Sequence, residues 1–318
     1  MMKIVYMGTP DFAVGPLEAI FKAGHEIAAI VTAPDKPAGR GRKLSSSEVK
    51  KFAEMHDLPL LQPVNLKESA FLSILNGIKP DVIVVIAFRM LPESVWRIPS
   101  KGTINLHASL LPQYRGAAPI NWAIINGETQ TGLSTFFINE SIDTGDIIMQ
   151  ETTEISETDN FGTLHDRLKE MGKAVILNTL DIIESGSIKA ISQGTLPYEN
   201  KPAPKLNKEN TRIDWSQNSK DIFNKIRGLS PFPGAWTILV DKDGNEQLLK
   251  VSDSCPDTTE SGSQSTGAII TDGKTYIHVV CGLGKLQVNK LQLSGRSSMS
   301  TAEFLRGYAG LLDGAFLK

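Results

Sequence analysis

Apolar positions near the start of the chain fall into short unbroken runs, and the stretch between the first two has a different period. KIVYMG (3–8) and EIAAIVT (26–32) are runs of strand length, whereas FAVGPLEAIFKAG places its apolar residues at helical spacing and stops at Gly24. DVIVVIAF (81–88) is a continuous β-branched run of the kind buried on both faces of a parallel sheet. TINLHAS, LSTFFIN (133–139) and DIIMQETTEI (146–155) supply further strands, with helices expected over 46–56, 67–76, 118–126 and 161–184. Strands alternating with helices predict an open, Rossmann-like α/β domain over residues 1–189.

The pattern then changes. Residues 190–209, which include QGTLPYENKPAPKLNKE, lack periodicity and hold three prolines, so an extended linker is expected there. A helical segment follows at 219–229, and after it come short apolar runs broken by Gly, Asp and Asn: AWTILV, EQLLKVS, GAIIT, TYIHVVC and GKLQVNKLQL. Short strands at this spacing predict a small OB-like antiparallel β-barrel over residues 210–318, with SCPDTTESGSQSTG (254–267) as a hairpin excursion.

Composition agrees with two globular domains. The 318 residues are 41% apolar and 21% charged, enough to bury a large core. MMKIVYMG lacks the basic region, long apolar core and cleavage site of a signal peptide, and no run reaches transmembrane length, so a chain with no membrane association is expected. Two cysteines, Cys255 and Cys281, are too few for a disulfide framework or a cysteine zinc site; both read as barrel residues of a cytoplasmic protein. No coiled-coil or apolar stripe demands a second copy, which leaves a monomer as the expectation.

A net charge of −2 gives no nucleic-acid footprint for the chain as a whole, and residues 210–318, with 12 basic against 11 acidic side chains, are not generically basic. Charge is local instead. PDKPAGRGRKL (34–44) carries Lys36, Arg40, Arg42 and Lys43 against Asp35, and its two glycines and two prolines make it a loop rather than a helix face.

The candidate chemistry begins at Asn105 and His107. Two apart on a strand, they project from one face of an apolar segment, near the end where parallel sheets place ligands. SIDTGDI follows, with Asp143 before a turn that Gly145 permits. An amide and an imidazole suit a developing oxyanion, and a carboxylate can set the imidazole's protonation and accept a proton through water. This is acyl-transfer equipment without a protein nucleophile, provided the two strand ends are neighbours.

Six collinear blocks give the set a context: GTPDFAV (8–14), PDKPAGRGRKL, NLHASLLPQYRGAAPINWAI (105–124), GETQTGLSTFFINESIDTGDIIMQ (127–150), RIDW (212–215) and IRGLSPFPGAW (226–236). Together they resemble the 10-formyltetrahydrofolate-dependent formyltransferases, and the basic loop and barrel narrow the resemblance to the branch acting on initiator methionyl-tRNA. The resemblance implies formyl transfer from 10-formyltetrahydrofolate to the methionyl α-amino group, without a metal. It implies catalytic roles for Asn105, His107 and Asp143, with the first two holding the oxyanion and Asp143 orienting His107 and relaying protons. It implies folate contacts at Phe88, Arg89, Met90 and Leu91 and at Ser109, Leu110, Leu111 and Pro112, and tRNA contacts at Lys36, Arg40, Arg42 and Lys43. Lys201, Lys205, Lys208 and Arg212 form a second candidate tRNA patch. The tRNA branch has Tyr-Gly where this chain has Phe88-Arg89; an Arg there is similar to the glycinamide ribonucleotide relatives, whose turn contacts the pterin through the backbone. Arg115 fits either substrate binding or anchoring of its loop, and Ile120 and Trp122 read as core.

Three other readings compete. A nucleotide-dependent dehydrogenase would need the full Gly-x-Gly-x-x-Gly that MGTPDF lacks, and an acidic residue closing the second strand. A formyltransferase for an amino sugar nucleotide or glycinamide ribonucleotide would need neither the basic loop nor the barrel. A non-catalytic RNA-binding module would need no Asn105, His107 and Asp143. One assay of formyl transfer separates all four.

Overall fold

The structure is a computed structural model that describes residues 1–38, 43–197, 199, 201–257 and 264–318. It divides into two compact units, the first comprising Met1–Pro119, Gln130–Glu154 and His165–Pro202, the second Ile120–Thr129, Ile155–Leu164 and Ala203–Lys318.

The first unit holds strands β1 (Lys3–Gly8), β2 (Glu26–Val31), β3 (Lys36–Ala38), β4 (Lys43–Ser45), β5 (Leu60–Leu61), β6 (Val82–Ile86), β7 (Thr103–His107), β8 (Gln130–Phe137) and β9 (Ile147–Glu154). Its helices are α1 (Val14–Lys22), α2 (Glu48–Met55), α3 (Ser69–Ile78) and α4 (Glu93–Trp96). The main sheet runs β5-β2-β1-β6-β7-β8-β9. The first five are parallel, and β8 is antiparallel to both neighbours. Because β1 lies between β2 and β6, the strand order reverses there, as at the crevice where doubly wound sheets bind ligands. All five residues of β6 are buried, each worth about 1.5–3 kcal/mol of apolar transfer, which is why its run shows no alternation. Ile83 and Val85 face Phe71, Leu75 and Val95 of α3 and α4. On the opposite face a Cβ at Gly172 would stand 3.3 Å from both Leu106 and Pro16, so a long helix packs there.

The basic loop differs from expectation. β3 and β4 pair as a two-stranded antiparallel ribbon, and Asp35 at its base accepts from Lys50 Nζ at 2.6 Å and Gln62 Nε2 at 3.0 Å. The hydrogen bond from Lys50, then that from Gln62, holds the Asp35 carboxyl below its ordinary value, and Asp35 raises Lys50 in return.

The second unit contains α5 (Pro119–Ile125, all but its first residue), α7 (Ser219–Gly228), α8 (Thr301–Tyr308) and a sheet of β10 (Ala235–Val240), β11 (Glu246–Asp257), β12 (Ile269–Thr271), β13 (Ile277–Val280), β14 (Lys285–Leu293), β15 (Met299–Ser300) and β16 (Phe316–Leu317). Strand order is β12-β13-β14-β11-β10-β16, and Phe316 also bridges to Ala268 before β12, which brings the sheet's two edges together as a barrel. Its interior holds Leu239, Leu249, Val251, Val279, Leu286, Val288 and Phe304. Cys281 is buried in this core and Cys255 is exposed on β11.

The helix expected at 161–184 is α6 (Phe161–Ser185), whose first residues belong to the second unit and the rest to the first. The stretch expected as a linker from residue 190 is also differently distributed. Ile191 exchanges two main-chain hydrogen bonds of 2.8 Å with Ile147, and residues through Pro202 belong to the first unit. Prolines and absent periodicity mark a segment without long strands or helices, and such a segment can still be tied down residue by residue. None of the described helices is long and apolar enough to cross a membrane.

Candidate functional site

On β7 the side chains alternate, so Thr103, Asn105 and His107 share one face with Ile83 and Val85 of β6. Each has a different fate. Thr103 Oγ1 donates to Trp96 O at 2.8 Å, fastening the strand's start to α4. Asn105 makes no side-chain hydrogen bond among the described residues, and its Oδ1 is buried without a partner. His107 is buried, and its Nε2 lies 2.8 Å from Tyr114 O. A carbonyl only accepts, so Nε2 carries a proton and Nδ1 is the nitrogen left to gain or lose one. Nδ1 faces Asp143 Oδ2 at 3.7 Å.

Asp143 comes to His107 from the β8–β9 connection rather than from the end of a neighbouring strand, the arrangement on which convergence was conditional in the sequence. The β8–β9 connection departs beside the start of β7, where Ile138 N–H donates to Thr103 O, and then folds back to reach His107 at the other end. Two features permit this. Gly145 passes so close to Phe137 that a Cβ would stand 1.6 Å from its carbonyl oxygen, and Asp143 takes a left-handed φ of 54°. Its Oδ2 accepts from Gly116 N–H at 2.9 Å. The segment after β7 therefore serves both groups, with Tyr114 O on His107 and Gly116 N–H on Asp143.

That segment is itself pinned from β8 and β9. Ser134 Oγ donates to Ser109 O at 2.6 Å and accepts from Leu111 N–H at 3.0 Å, while Gln150 Nε2 donates to Leu111 O at 2.9 Å. Ser109, Leu111 and Pro112 are buried and Leu110 half-buried, so these positions shape the loop through its main chain. The Leu111–Pro112 peptide is cis. Arg115 donates from Nε and Nη2 to Gln193 Oε1, at 3.0 and 2.6 Å, and Gln193 Nε2 donates to Asp143 O at 3.0 Å and Gly145 O at 2.8 Å. Anchoring of the loop, one of the two roles open for Arg115, is thus present, through a neutral amide. Ser134, Gln150 and Gln193 were missed in the sequence. Ser134 and Gln150 sit inside strand patterns as unremarkable polar residues, and Gln193 sits where linker composition hides it.

Of the other expected contacts, Phe88, Arg89, Met90 and Leu91 follow the C-terminal end of β6, one strand over from Asn105. Their main-chain N–H groups make no hydrogen bond among the described residues. The side chains look elsewhere: Leu91 is in the core, Met90 is exposed, and Arg89 donates to Val64 O at 2.7 Å and to Pro63 O. Lys36 is exposed at the base of the ribbon; Arg40 and Arg42 lie outside the described residues, as does the Lys43 side chain. In the second unit Ile120 is buried, Trp122 is half-buried with its Nε1 donating to Pro204 O at 2.8 Å, and Lys208 and Arg212 flank the Trp236 ring at 5.4 and 5.6 Å. Among the described residues no group of three or more His, Cys, Asp or Glu could hold a metal ion.

Comparison with known proteins gives the same outline. Residues 2–180 match the family described as formyl transferase, and residues 205–309 its C-terminal domain. A protein of Bacteroides fragilis named methionyl-tRNA formyltransferase is 48% identical over 309 residues, covering 96% of this chain and 95% of its own; one of the same name from Flavobacterium johnsoniae is 47% identical, covering 96% of each. Among solved structures, the N-formyltransferase of Helicobacter canadensis, in complex with folinic acid and dTDP-3-aminofucose, matches with a TM-score of 0.65 at 19% identity, over 91% of this chain and 99% of that one. HypX from Aquifex aeolicus in complex with tetrahydrofolic acid matches with a TM-score of 0.63 at 19% identity, and this chain covers 98% of itself but 48% of HypX. At these identities the structures speak for the fold.

Proposed function

The chain belongs to the formyl transferase family, and we propose that in it Asn105, His107 and Asp143 carry the transfer of a formyl group from 10-formyltetrahydrofolate to the α-amino group of initiator methionyl-tRNA. The observation that carries the site assignment is the face of β7: a half-buried amide, its buried Oδ1 without a protein partner, stands two residues from an imidazole whose free nitrogen faces a carboxylate. An unpaired buried polar atom costs roughly 1–3 kcal/mol; Oδ1 is an acceptor, so the partner it lacks is a donor such as the incoming α-amino group, while the Nδ2 hydrogens, which make no hydrogen bond among the described residues, are the ones open to the formyl oxygen.

The residues fit the donor. The unpaired N–H groups of Phe88, Arg89, Met90 and Leu91 offer main-chain recognition of a heterocycle, and Ser109, Leu110, Leu111 and Pro112, buried or half-buried, begin the segment that leaves β7 just after His107. When bound, 10-formyltetrahydrofolate supplies an activated formyl carbonyl on an aniline-like nitrogen. Asn105 directs its amide at the carbonyl oxygen, where negative charge develops. His107 is fixed through Nε2–H, so it contributes at Nδ1, either by donating a proton there or by handing it on. Asp143 holds that proton's position. The 3.7 Å gap is longer than a hydrogen bond, and a pair of this kind tightens or admits a water on binding. Such preorganised groups are each worth about 10²-fold or more in rate.

Lys36, Arg40, Arg42 and Lys43 are the proposed phosphate contacts; Lys36 opens β3 and Lys43 opens β4 of a ribbon whose base Lys50 and Gln62 fix through Asp35. A tRNA substrate of this kind favours a cytoplasmic location. The test is His107→Ala: formylation of methionyl-tRNA should slow by roughly 10²-fold or more at saturating substrates while folate binding changes little. Near-normal turnover would remove His107 from the mechanism.

A further inference from the structure

Gln193 lies in the stretch that composition marks as a linker, yet its side chain is buried and fully used. Nε2 spends its two hydrogens on the carbonyls of Asp143 and Gly145, at 3.0 and 2.8 Å, and Oε1 accepts twice from Arg115, at 3.0 and 2.6 Å. We infer that Gln193 is a positioning residue: it holds the Asp143 turn in the conformation that presents its carboxylate to His107, an inference that rests on the catalytic role proposed for Asp143.

Three observations lead there. First, Asp143 has a φ of 54°, a left-handed conformation that few non-glycine residues adopt and that is kept where the surroundings hold it. Gln193 grips the peptide carbonyl of that residue and the one two positions on, so it spans the turn. Second, the bonds close a ring. From Gln193 the path runs through the Asp143 main chain to its Oδ2, across to Gly116 N–H, one residue back to Arg115, and from its guanidinium to Gln193. Tyr114, whose carbonyl fixes His107 Nε2, precedes Arg115 directly. Loosening Gln193 therefore frees both the carboxylate and the loop that orients the imidazole. Third, Gln193 is held independently of the groups it positions. Ile191 is bonded in both directions to Ile147, and residues 193–195 form a short 3₁₀ turn. Two convergent carbonyls require a group with two donors on one atom. A carboxylate at this position would keep the Arg115 pairing and present oxygen to oxygen at the turn.

That difference defines the experiment. Gln193→Glu, Gln193→Met, Asp143→Asn and the double variant Gln193→Glu/Asp143→Asn are compared by single-turnover formylation, steady-state KM for both substrates and thermal melting. Misplacing a reacting group by about 1 Å costs about 10²-fold, so Gln193→Glu is expected to lower kcat by that order with KM near wild type and the chain folded. Gln193→Met keeps the volume, loses all four bonds and should behave alike, covering the case in which Glu unfolds the turn. In the Asp143→Asn background the Gln193 change should add little, because a group that acts through Asp143 has nothing left to position. Folded Gln193 variants with wild-type kcat beside a slow Asp143→Asn, or losses that multiply in the double variant, overturn the inference and leave the role of Asp143 standing. Wild-type turnover in Asp143→Asn itself removes the catalytic reading, and the inference with it.

Discussion

Gly145→Ala tests the geometry of the site without touching a reacting group. An added Cβ would meet Phe137 O at 1.6 Å and Phe137 C at 2.8 Å, where real Cβ atoms keep about 3.0 Å, so something must move by about 1.4 Å. Both obstructing atoms are main chain, and no rotamer change relieves them. Phe137 is the last residue of β8, paired with Ile104 of β7 and bonded through its N–H to Asp146 O at 3.0 Å. The sheet holds that side, so the connection carrying Asp143 yields. A shift of this size exceeds the 1 Å that costs about 10²-fold, which predicts a fall in kcat of about 10²-fold or more, equivalent to roughly 2.7 kcal/mol of barrier. KM for 10-formyltetrahydrofolate should change little, since the turn after β6 is untouched. Gly186→Ala is the control: its φ of 70° makes the substitution strained, but nothing lies within 4 Å of the new Cβ, so it should cost about 1 kcal/mol of stability and no turnover. The assay is single-turnover formylation at saturating substrates, with far-UV dichroism and a melt to show the fold. A folded Gly145→Ala chain with turnover near wild type would refute the argument that the close approach at Phe137 sets the position of Asp143.

Asn105→Ala should slow formylation by roughly 10²-fold while leaving the melting temperature at or above wild type, because it deletes a buried oxygen that has no partner; a large loss of stability would show that the amide is structural. Neutralising Lys36 should reduce the slope of log affinity for methionyl-tRNA against log salt by about 0.7–0.9 with folate binding unchanged, and an unchanged slope would take Lys36 off the tRNA contact. Burial pushes the Cys281 thiol up to about 12, so at pH 8 it holds its proton; a thiol reagent should modify exposed Cys255 alone in the folded chain and both after denaturation, as mass spectrometry would show.

What the sequence made legible follows periodicity. The runs at 3–8 and 81–88 became β1 and β6 because residues buried on both faces leave no alternation to misread, and α7 and α2 begin at Asn218 and Ser47, whose side chains cap them as their residue types predict. β5 and β16, two residues each, are too short to carry a period, yet β16 completes the barrel. Asn105 and His107 were legible as a pair because strand geometry fixes their common face. The path of Asp143 was not: the fold-back depends on Gly145 clearing the Phe137 carbonyl, a close approach within one irregular connection, and on Gln193 gripping the turn from about 50 residues away. The ribbon of β3 and β4 was missed because glycine and proline mark a turn without saying whether its flanks pair.

Strain is distributed unevenly over the described residues, and its distribution bears on function. Five non-glycine residues adopt left-handed φ: Asp57, Lys79, Ala87, Tyr114 and Asp143. Lys79 is the C-cap of α3 and Asp57 follows the C-cap of α2, where such a conformation ends a helix in the ordinary way. No helix end accounts for the other three. Ala87 opens the turn with unpaired N–H groups, Tyr114 supplies the carbonyl that fixes His107, and Asp143 faces that imidazole. At about 1–2 kcal/mol each, together with the unpaired Asn105 oxygen, the site costs several kcal/mol, a large share of the 5–15 kcal/mol by which domains are stable. The elements that bear this cost are β6 and β7, whose buried aliphatic residues are each worth a comparable amount. Random drift would scatter such defects through the molecule. Their concentration around one strand end is what a preorganised site requires, because an imidazole and a carboxylate already fixed in place need no reorganisation when charge appears beside them.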